Sequence, residues 1–170
     1  LPLPTTLAPY NDLAATEKLL AEKAADIGAL IVEPMMGGGG CIPATREFLA
    51  GLRAACDKHK IVLIFDEVMT SRLSPGGLQK VHGVTPDLTT FGKYIGGGLP
   101  TGAFGGRAEI MNMFDPRRPD AVAHAGTFNN NVLTMAAGVA GLTKVYTAEE
   151  ALRLNKAGDA LRERLNGLIA

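Results

Sequence analysis

The stretch TREFLAGLRAACDKHKIVLIFDE, residues 45–67, decides the fold. Phe48, Leu49, Leu52 and Ala55 recur at helical spacing, which predicts a helix over about residues 45–59. Beyond the His59-Lys60 pair, residues 61–65 are wholly apolar and end on Asp66, the pattern of a short buried strand. The same order stands just upstream. Asn11 or Asp12 can cap a helix running to about Ala25, and residues 29–32 read as a second buried strand ending at Glu33-Pro34. This α-β-α-β alternation predicts an α/β fold with a mostly parallel sheet flanked by helices. Ligands of such sheets gather beyond the carboxyl ends of the strands, where Glu33 and Asp66 both fall.

Further along, residues 88–91 and 101–105 are short strand candidates on either side of Lys93. A short helix is expected over residues 109–113, followed by the surface loop DPRRPD. The small apolar run VLTMAAGVAGLTKV predicts a well-buried helix over about residues 131–146, tightly packed at Gly138 and Gly141. Thr147, with Glu150 at capping-box spacing, then opens a charged amphipathic helix reaching Ala170. Glycines cluster at 37–40, 96–98 and 105–106, between apolar strands, where the backbone is expected to approach something closely. GGGLP after Lys93 is not a dinucleotide-binding loop, since it follows the lysine and opens no long helix.

Two residues stand out chemically. Lys93 has no charged neighbour between Leu88 and Arg107, and Phe91, Gly92, Ile95 and Gly96 crowd it, so desolvation there would favour a neutral, nucleophilic amine. Asp66 is a carboxylate at the end of an apolar strand and needs a partner. Taken singly, Asp66 reads equally well as the cap of the next turn, and Lys93 as a surface lysine. Together with the glycine segment they point to a cofactor lysine and a carboxylate that pairs with a ring nitrogen.

VEPMMGGGG, FDEVMTSR, PDLTTFGKYIGGGLPTGAFGGR and HAGTFNNNVLTMAAG, in that order, resemble the class III aminotransferases of fold type I, and the likeness extends over essentially the whole chain. The resemblance implies that residues 1–146 are the later part of a large domain binding pyridoxal phosphate (PLP), and that residues 147–170 are a helix leading into a small domain. It implies PLP as cofactor, with Lys93 forming the Schiff base and later shuttling a proton. Asp66 would pair with the pyridine nitrogen, Val68 would pack on one ring face, and Thr127 would bind the cofactor phosphate of the neighbouring subunit. The protein would then be a homodimer with intersubunit sites. The implied reaction moves an amino group between an amino acid, β-amino acids included, and a keto acid.

Within the class, DEVMT and TPDLTTFGKYIGGGLP resemble glutamate-1-semialdehyde aminomutase, whereas MTSRL and HAGTFNNN resemble β-amino-acid transaminases of the β-phenylalanine type. Met69, where other members often have glutamine, is shared with the aminomutases, but DEVMTSR is one residue shorter than their DEVMTGFR. Gly38 stands where ornithine and γ-aminobutyrate aminotransferases carry a glutamate, which argues against those substrates. Aminomutation is therefore the alternative reaction. The alternative of another kind is a catalytically inert fragment or dimerisation partner, because the family's Gly-Ser/Thr phosphate loop and the aromatic for the other ring face are not in this sequence. Leu1 is not Met and RERLNGLIA stops within a helical pattern, so a fragment is expected.

Composition narrows the classes. With 46% hydrophobic and 20% charged residues, the 170-residue chain is expected to bury one core. Seventeen Lys and Arg balance seventeen Asp and Glu, so no basic field favours nucleic acid. The longest apolar runs are too short to span a bilayer, and LPLPTTLAPY lacks the charged start and hydrophobic centre of a secretion signal. Cys41 and Cys56 form no metal-ligand motif, and His59, His82 and His124 are scattered, so no metal site is expected. Reduced thiols make the cytoplasm the expected compartment, with an organelle as the alternative.

Overall fold

A computed structural model describes residues 4–169; residues 1–3 and Ala170, the expected end of the last helix, lie outside the described residues. In chain order the elements are α1 (Leu13–Lys23), β1 (Ala29–Val32), the hairpin of β2 (Met35–Met36) and β3 (Ile42–Pro43), α2 (Arg46–His59), β4 (Val62–Asp66), α3 (Gly77–His82), β5 (Leu88–Gly92), β6 (Gly102–Gly106), α4 (Ala108–Met111), α5 (Val132–Ala140) and α6 (Ala148–Ile169). The main sheet runs β1-β4-β5-β6. β1, β4 and β5 are parallel, and β6 returns antiparallel to β5. The mostly parallel sheet agrees with the alternation in the sequence. β6 is the exception because only residues 93–101 connect it to β5, too few for the crossover that a parallel neighbour needs.

The core sits between this sheet and α1 and α2, where Leu20, Phe48, Leu49, Leu52, Leu63 and Phe65 are buried. Capping fixes where both helices begin. Asp12, not Asn11, caps α1 by accepting from the Ala15 N–H at 2.9 Å, while Asn11 bridges Pro43 and Thr45. Thr45 caps α2, accepting from the Phe48 N–H at 3.0 Å. β4 starts one residue later than expected because the Ile61 N–H still serves the end of α2, donating to the Cys56 carbonyl at 2.9 Å.

Other expectations need correction. The run at 131–146 is an α-helix only over Val132–Ala140 and continues as a wider π-type turn over Gly141–Val145. It is not well buried: Val132, Leu133 and Val139 are 79%, 72% and 63% exposed. Small residues let one side of α5 press on the chain near Lys93, but nothing among the described residues covers the other side. The capping box of α6 forms only by half. The Glu150 N–H donates to Thr147, while the Glu150 carboxylate takes the Arg153 guanidinium instead. α3 and the β2–β3 hairpin were not anticipated.

Asp87 ties the sheet to α2. Its carboxylate accepts from the Leu63 N–H at 2.7 Å and from Arg53 and Arg107 at 2.9 Å each. Burial alone would raise its pKa, but the Leu63 N–H and the two guanidinium groups more than offset that and hold it below the ordinary aspartate value. A depressed folded-state pKa contributes stability above the unfolded value near 3.9 and loses it as pH falls through the folded one. Asp87→Asn is therefore expected to cost about 1–2 kcal/mol at neutral pH, since Arg53 loses one of its two carboxylate partners and keeps Asp57. Denaturant melts should also show the variant losing less stability than the parent as pH falls below about 4. Parallel pH profiles would contradict this.

No helix among the described residues is long and apolar enough to cross a membrane. No group of His, Cys, Asp and Glu among them could hold a metal ion.

Candidate functional site

Asp66 is the last residue of β4, opposite Thr90 of β5. Its Oδ1 accepts from the Val68 N–H at 3.0 Å and from the Thr90 hydroxyl at 3.2 Å. Both bonds go to one oxygen. Oδ2 is left for a further donor, and no basic side chain among the described residues pairs with it. The register does the rest: Lys93, three residues beyond Thr90, leaves the neighbouring strand at the same carboxyl end of the sheet. Val68 touches both segments. A Cβ built on Gly92 would come within 3.2 Å of Val68 Cγ1, so the valine packs on the backbone adjoining the lysine.

Glu67, which carries no role in the sequence reading, holds this sheet end in place. It is fully buried and accepts from the Thr70 hydroxyl at 3.0 Å and from the Leu78 and Gln79 N–H groups at 2.8 and 2.9 Å. Those two N–H groups are unpaired donors of the first turn of α3, a natural seat for an anion. Gly77 (φ +70°) has to be glycine there, since a Cβ would sit 2.4 Å from the Glu67 carboxylate. A glutamate following an apolar strand, with Gly76-Gly77 ten residues on, was the available signal. Glu33 is similarly structural: its carboxylate accepts from the Gly37 N–H at 3.0 Å and its carbonyl from the Tyr10 hydroxyl at 2.7 Å.

Lys93 adopts φ +56°, a left-handed conformation that costs a non-glycine residue about 1–3 kcal/mol unless its surroundings impose it. It begins the turn Lys93–Gly96. α5 imposes that turn through glycines. A Cβ on Gly97 (φ +60°) would fall 2.1 Å from the Ala137 carbonyl oxygen, one on Gly138 would fall 2.5 Å from the Ile95 oxygen, and one on Gly141 would meet Gly97 Cα at 3.2 Å. The close packing expected at Gly138 and Gly141 is thus present, and its object is the lysine turn. Gly97→Ala combines a positive φ with a backbone clash and is expected to destabilise the fold by about 2 kcal/mol or more. A thermal melt indistinguishable from the parent's would show that the contact is dispensable.

The apolar enclosure expected around Lys93 is not provided by this chain. The residue is exposed, because the flanking glycines have no side chains with which to cover it. Among the described residues it makes no ion pair. Thr127 is on the exposed loop 121–131, and no hydrogen bond among the described residues joins it to the other three. Asn131 ends that loop by capping α5, and residues on either side of Thr127 line a groove of about 510 Å³ with Thr101, His124 and Met135.

A held carboxylate with one oxygen unengaged, an aliphatic side chain beside it and an unpaired amine at the same sheet end suit a planar ring bearing a protonated nitrogen and an aldehyde. The residues present therefore fit PLP.

The likeness extends well beyond these few residues. Residues 2–170 match the family model described as aminotransferase class-III. An uncharacterized aminotransferase of Schizosaccharomyces pombe is 57% identical over 92% of this chain and 36% of that protein. The β-phenylalanine transaminase of Variovorax paradoxus is 52% identical over 99% of this chain and 40% of that protein. The chain thus spans about two-fifths of the length of the curated relatives it matches. Among solved structures, a β-phenylalanine aminotransferase from Variovorax paradoxus superposes with a TM-score of 0.94 at 52% identity over 99% of this chain and 39% of that one. A transaminase with PLP bound gives 0.90 at 33% identity, covering 96% and 38%. A glutamate-1-semialdehyde-aminomutase from Pseudomonas aeruginosa gives 0.73 at 35%, covering 85% and 33%. The mostly parallel sheet, the order of the motifs and a family match running from residue 2 to residue 170 lead to one assignment: the chain belongs to the class III aminotransferases.

Proposed function

We propose that this chain is the part of a PLP-dependent transaminase that carries the cofactor lysine, and that the enzyme moves an amino group from an amino acid, with β-amino acids as the favoured donors, to a keto acid. The convergence of Asp66, Val68 and Lys93 at the carboxyl end of β4 and β5 carries this reading. Likeness to the β-phenylalanine transaminase favours the β-amino donor. Residues 1–146 belong to the cofactor-binding domain, and residues 147–170 lead toward a small domain.

Asp66 would hold the ring nitrogen, Val68 would cover one ring face, and Lys93 would anchor the aldehyde carbon. When bound, the cofactor supplies an electron sink for the carbanion formed at the substrate carbon. Thr90 and the Val68 N–H keep Asp66 from turning away. The Lys93 amine, once freed by substrate, would hold and move the proton that leaves the substrate carbon. Thr127 would bind the phosphate of a partner subunit's cofactor, which makes the protein a homodimer. The exposed apolar side chains of Phe128, Val132, Leu133 and Val139 beside it support that reading. We place the enzyme in the cytoplasm, with both cysteines free.

The test is to incubate the protein with PLP, β-phenylalanine and a keto acid, and to follow both products by chromatography. Stoichiometric formation of a β-keto acid and a new amino acid supports the reading. With glutamate-1-semialdehyde supplied in place of β-phenylalanine in a parallel reaction, its isomerisation without amino transfer to the keto acid would replace the reading by the aminomutase alternative.

A further inference from the structure

Arg72 is exposed, yet it makes no salt bridge among the described residues. Its guanidinium carbon lies instead 5.6 Å from the ring centroids of both Tyr94 and Tyr146. Those rings meet edge to face, 5.1 Å apart at 64°. A guanidinium over two tyrosines that also touch each other closes a three-membered cluster held by cation–π and aromatic contacts. Two further bonds anchor it. The Tyr146 hydroxyl donates to the Arg72 carbonyl at 2.7 Å, and the Asn155 side chain of α6 donates to the Leu73 carbonyl at 2.7 Å.

The place of this cluster gives it meaning. Tyr94 directly follows Lys93, whose left-handed backbone has to be imposed from outside. α5 constrains the turn from its glycine side. Arg72 and Tyr146 hold it in addition through the Tyr94 ring. Arg72 also lies six residues beyond Asp66, on the segment that Glu67 pins, so the cluster links the carboxylate's loop to the lysine's turn. Tyr146 follows the π-type turn Gly141–Val145, an irregularity of the kind that often marks functional positions.

We infer that Arg72, stacked on Tyr94 and Tyr146, is a positioning residue that fixes the Lys93 turn relative to Asp66. The inference rests on the reading of Lys93 as the cofactor lysine, and the experiment separates the two. Arg72→Gln and Arg72→Lys are compared with the parent by amide hydrogen exchange without cofactor, and by visible circular dichroism after loading with PLP. The amides of Gly97 and Leu99, which donate to the Tyr94 and Gly96 carbonyls, report on the turn. In Arg72→Gln they are expected to exchange about fivefold faster, with the amides of Leu63 and Phe65 unchanged. The visible dichroism per bound cofactor should fall several-fold, because a loosened lysine no longer holds the chromophore in one orientation. Arg72→Lys keeps a cation over the rings but not the planar stack and should fall between the two. Unchanged turn amides and unchanged dichroism in Arg72→Gln would overturn the inference, as would equal acceleration of the Leu63 and Phe65 amides. If the parent itself shows no visible dichroism with PLP, the reading of Lys93 fails, and the exchange of Gly97 and Leu99 alone decides the role of Arg72.

Discussion

Lys93→Ala is expected to lower the rate of amino transfer by about 10⁴-fold, the upper range for removal of a residue that, on the proposed reading, would both transfer the proton and form the covalent link. The structure gives the substitution little else to disturb. The Lys93 side chain is exposed and makes no ion pair among the described residues, and the left-handed turn is held by Gly97, Gly138 and Tyr94 rather than by the amine. Melting temperature should therefore stay close to the parent's. A small primary amine added to the variant should restore part of the rate, since the missing function is a proton-carrying nitrogen. Single-turnover formation of keto acid measures both effects. Retention of most of the rate in Lys93→Ala would show that the lysine is a surface residue and that the proton moves elsewhere.

Asp66→Asn is the second large effect, about 10³-fold, comparable to the loss of a preorganised electrostatic group in an active site. The change is nearly isosteric. An amide oxygen at the Oδ1 position still accepts from the Val68 N–H and the Thr90 hydroxyl, so β4 and β5 stay in register. What disappears is the negative charge that would keep a ring nitrogen protonated and the ring able to accept carbanion charge. The variant is thus expected to load cofactor onto Lys93 yet to release the substrate proton slowly, visible as a large drop in kcat with a small change in KM. A drop in KM-dependent binding with kcat intact would assign Asp66 to substrate recognition instead.

Much of this was legible in the residues. The apolar run at 61–65 ending on Asp66 located β4 to within one residue, because a five-residue apolar stretch between a helix and a carboxylate has few other uses. The Asn11-Asp12 pair placed the start of α1, and the spacing of Phe48, Leu49, Leu52 and Ala55 placed α2, each from local sequence. The spacing of Asp66 and Lys93 acquires meaning only through the β4–β5 register, which pairs Asp66 with Thr90 and is set by contacts between distant parts of the chain. The roles of Glu67 and Arg72 were not legible. One depends on where the first turn of α3 points its N–H groups and the other on two tyrosines 52 positions apart. The run at 131–146 misled because small apolar residues suit a buried helix and a surface awaiting a partner equally well. The enclosure of Lys93 failed for a related reason: glycines on either side predict close approach, but do not say which face of the turn is approached.

The most direct test of the central claim is to mix the protein with PLP, reduce with borohydride, and map the modified peptide. The account predicts an absorbance band in the visible that reduction abolishes, with the label concentrated on Lys93 and absent from it in Lys93→Ala. Label spread over Lys18, Lys58, Lys80 and the other surface lysines, with Lys93 no more reactive than they are, would contradict it.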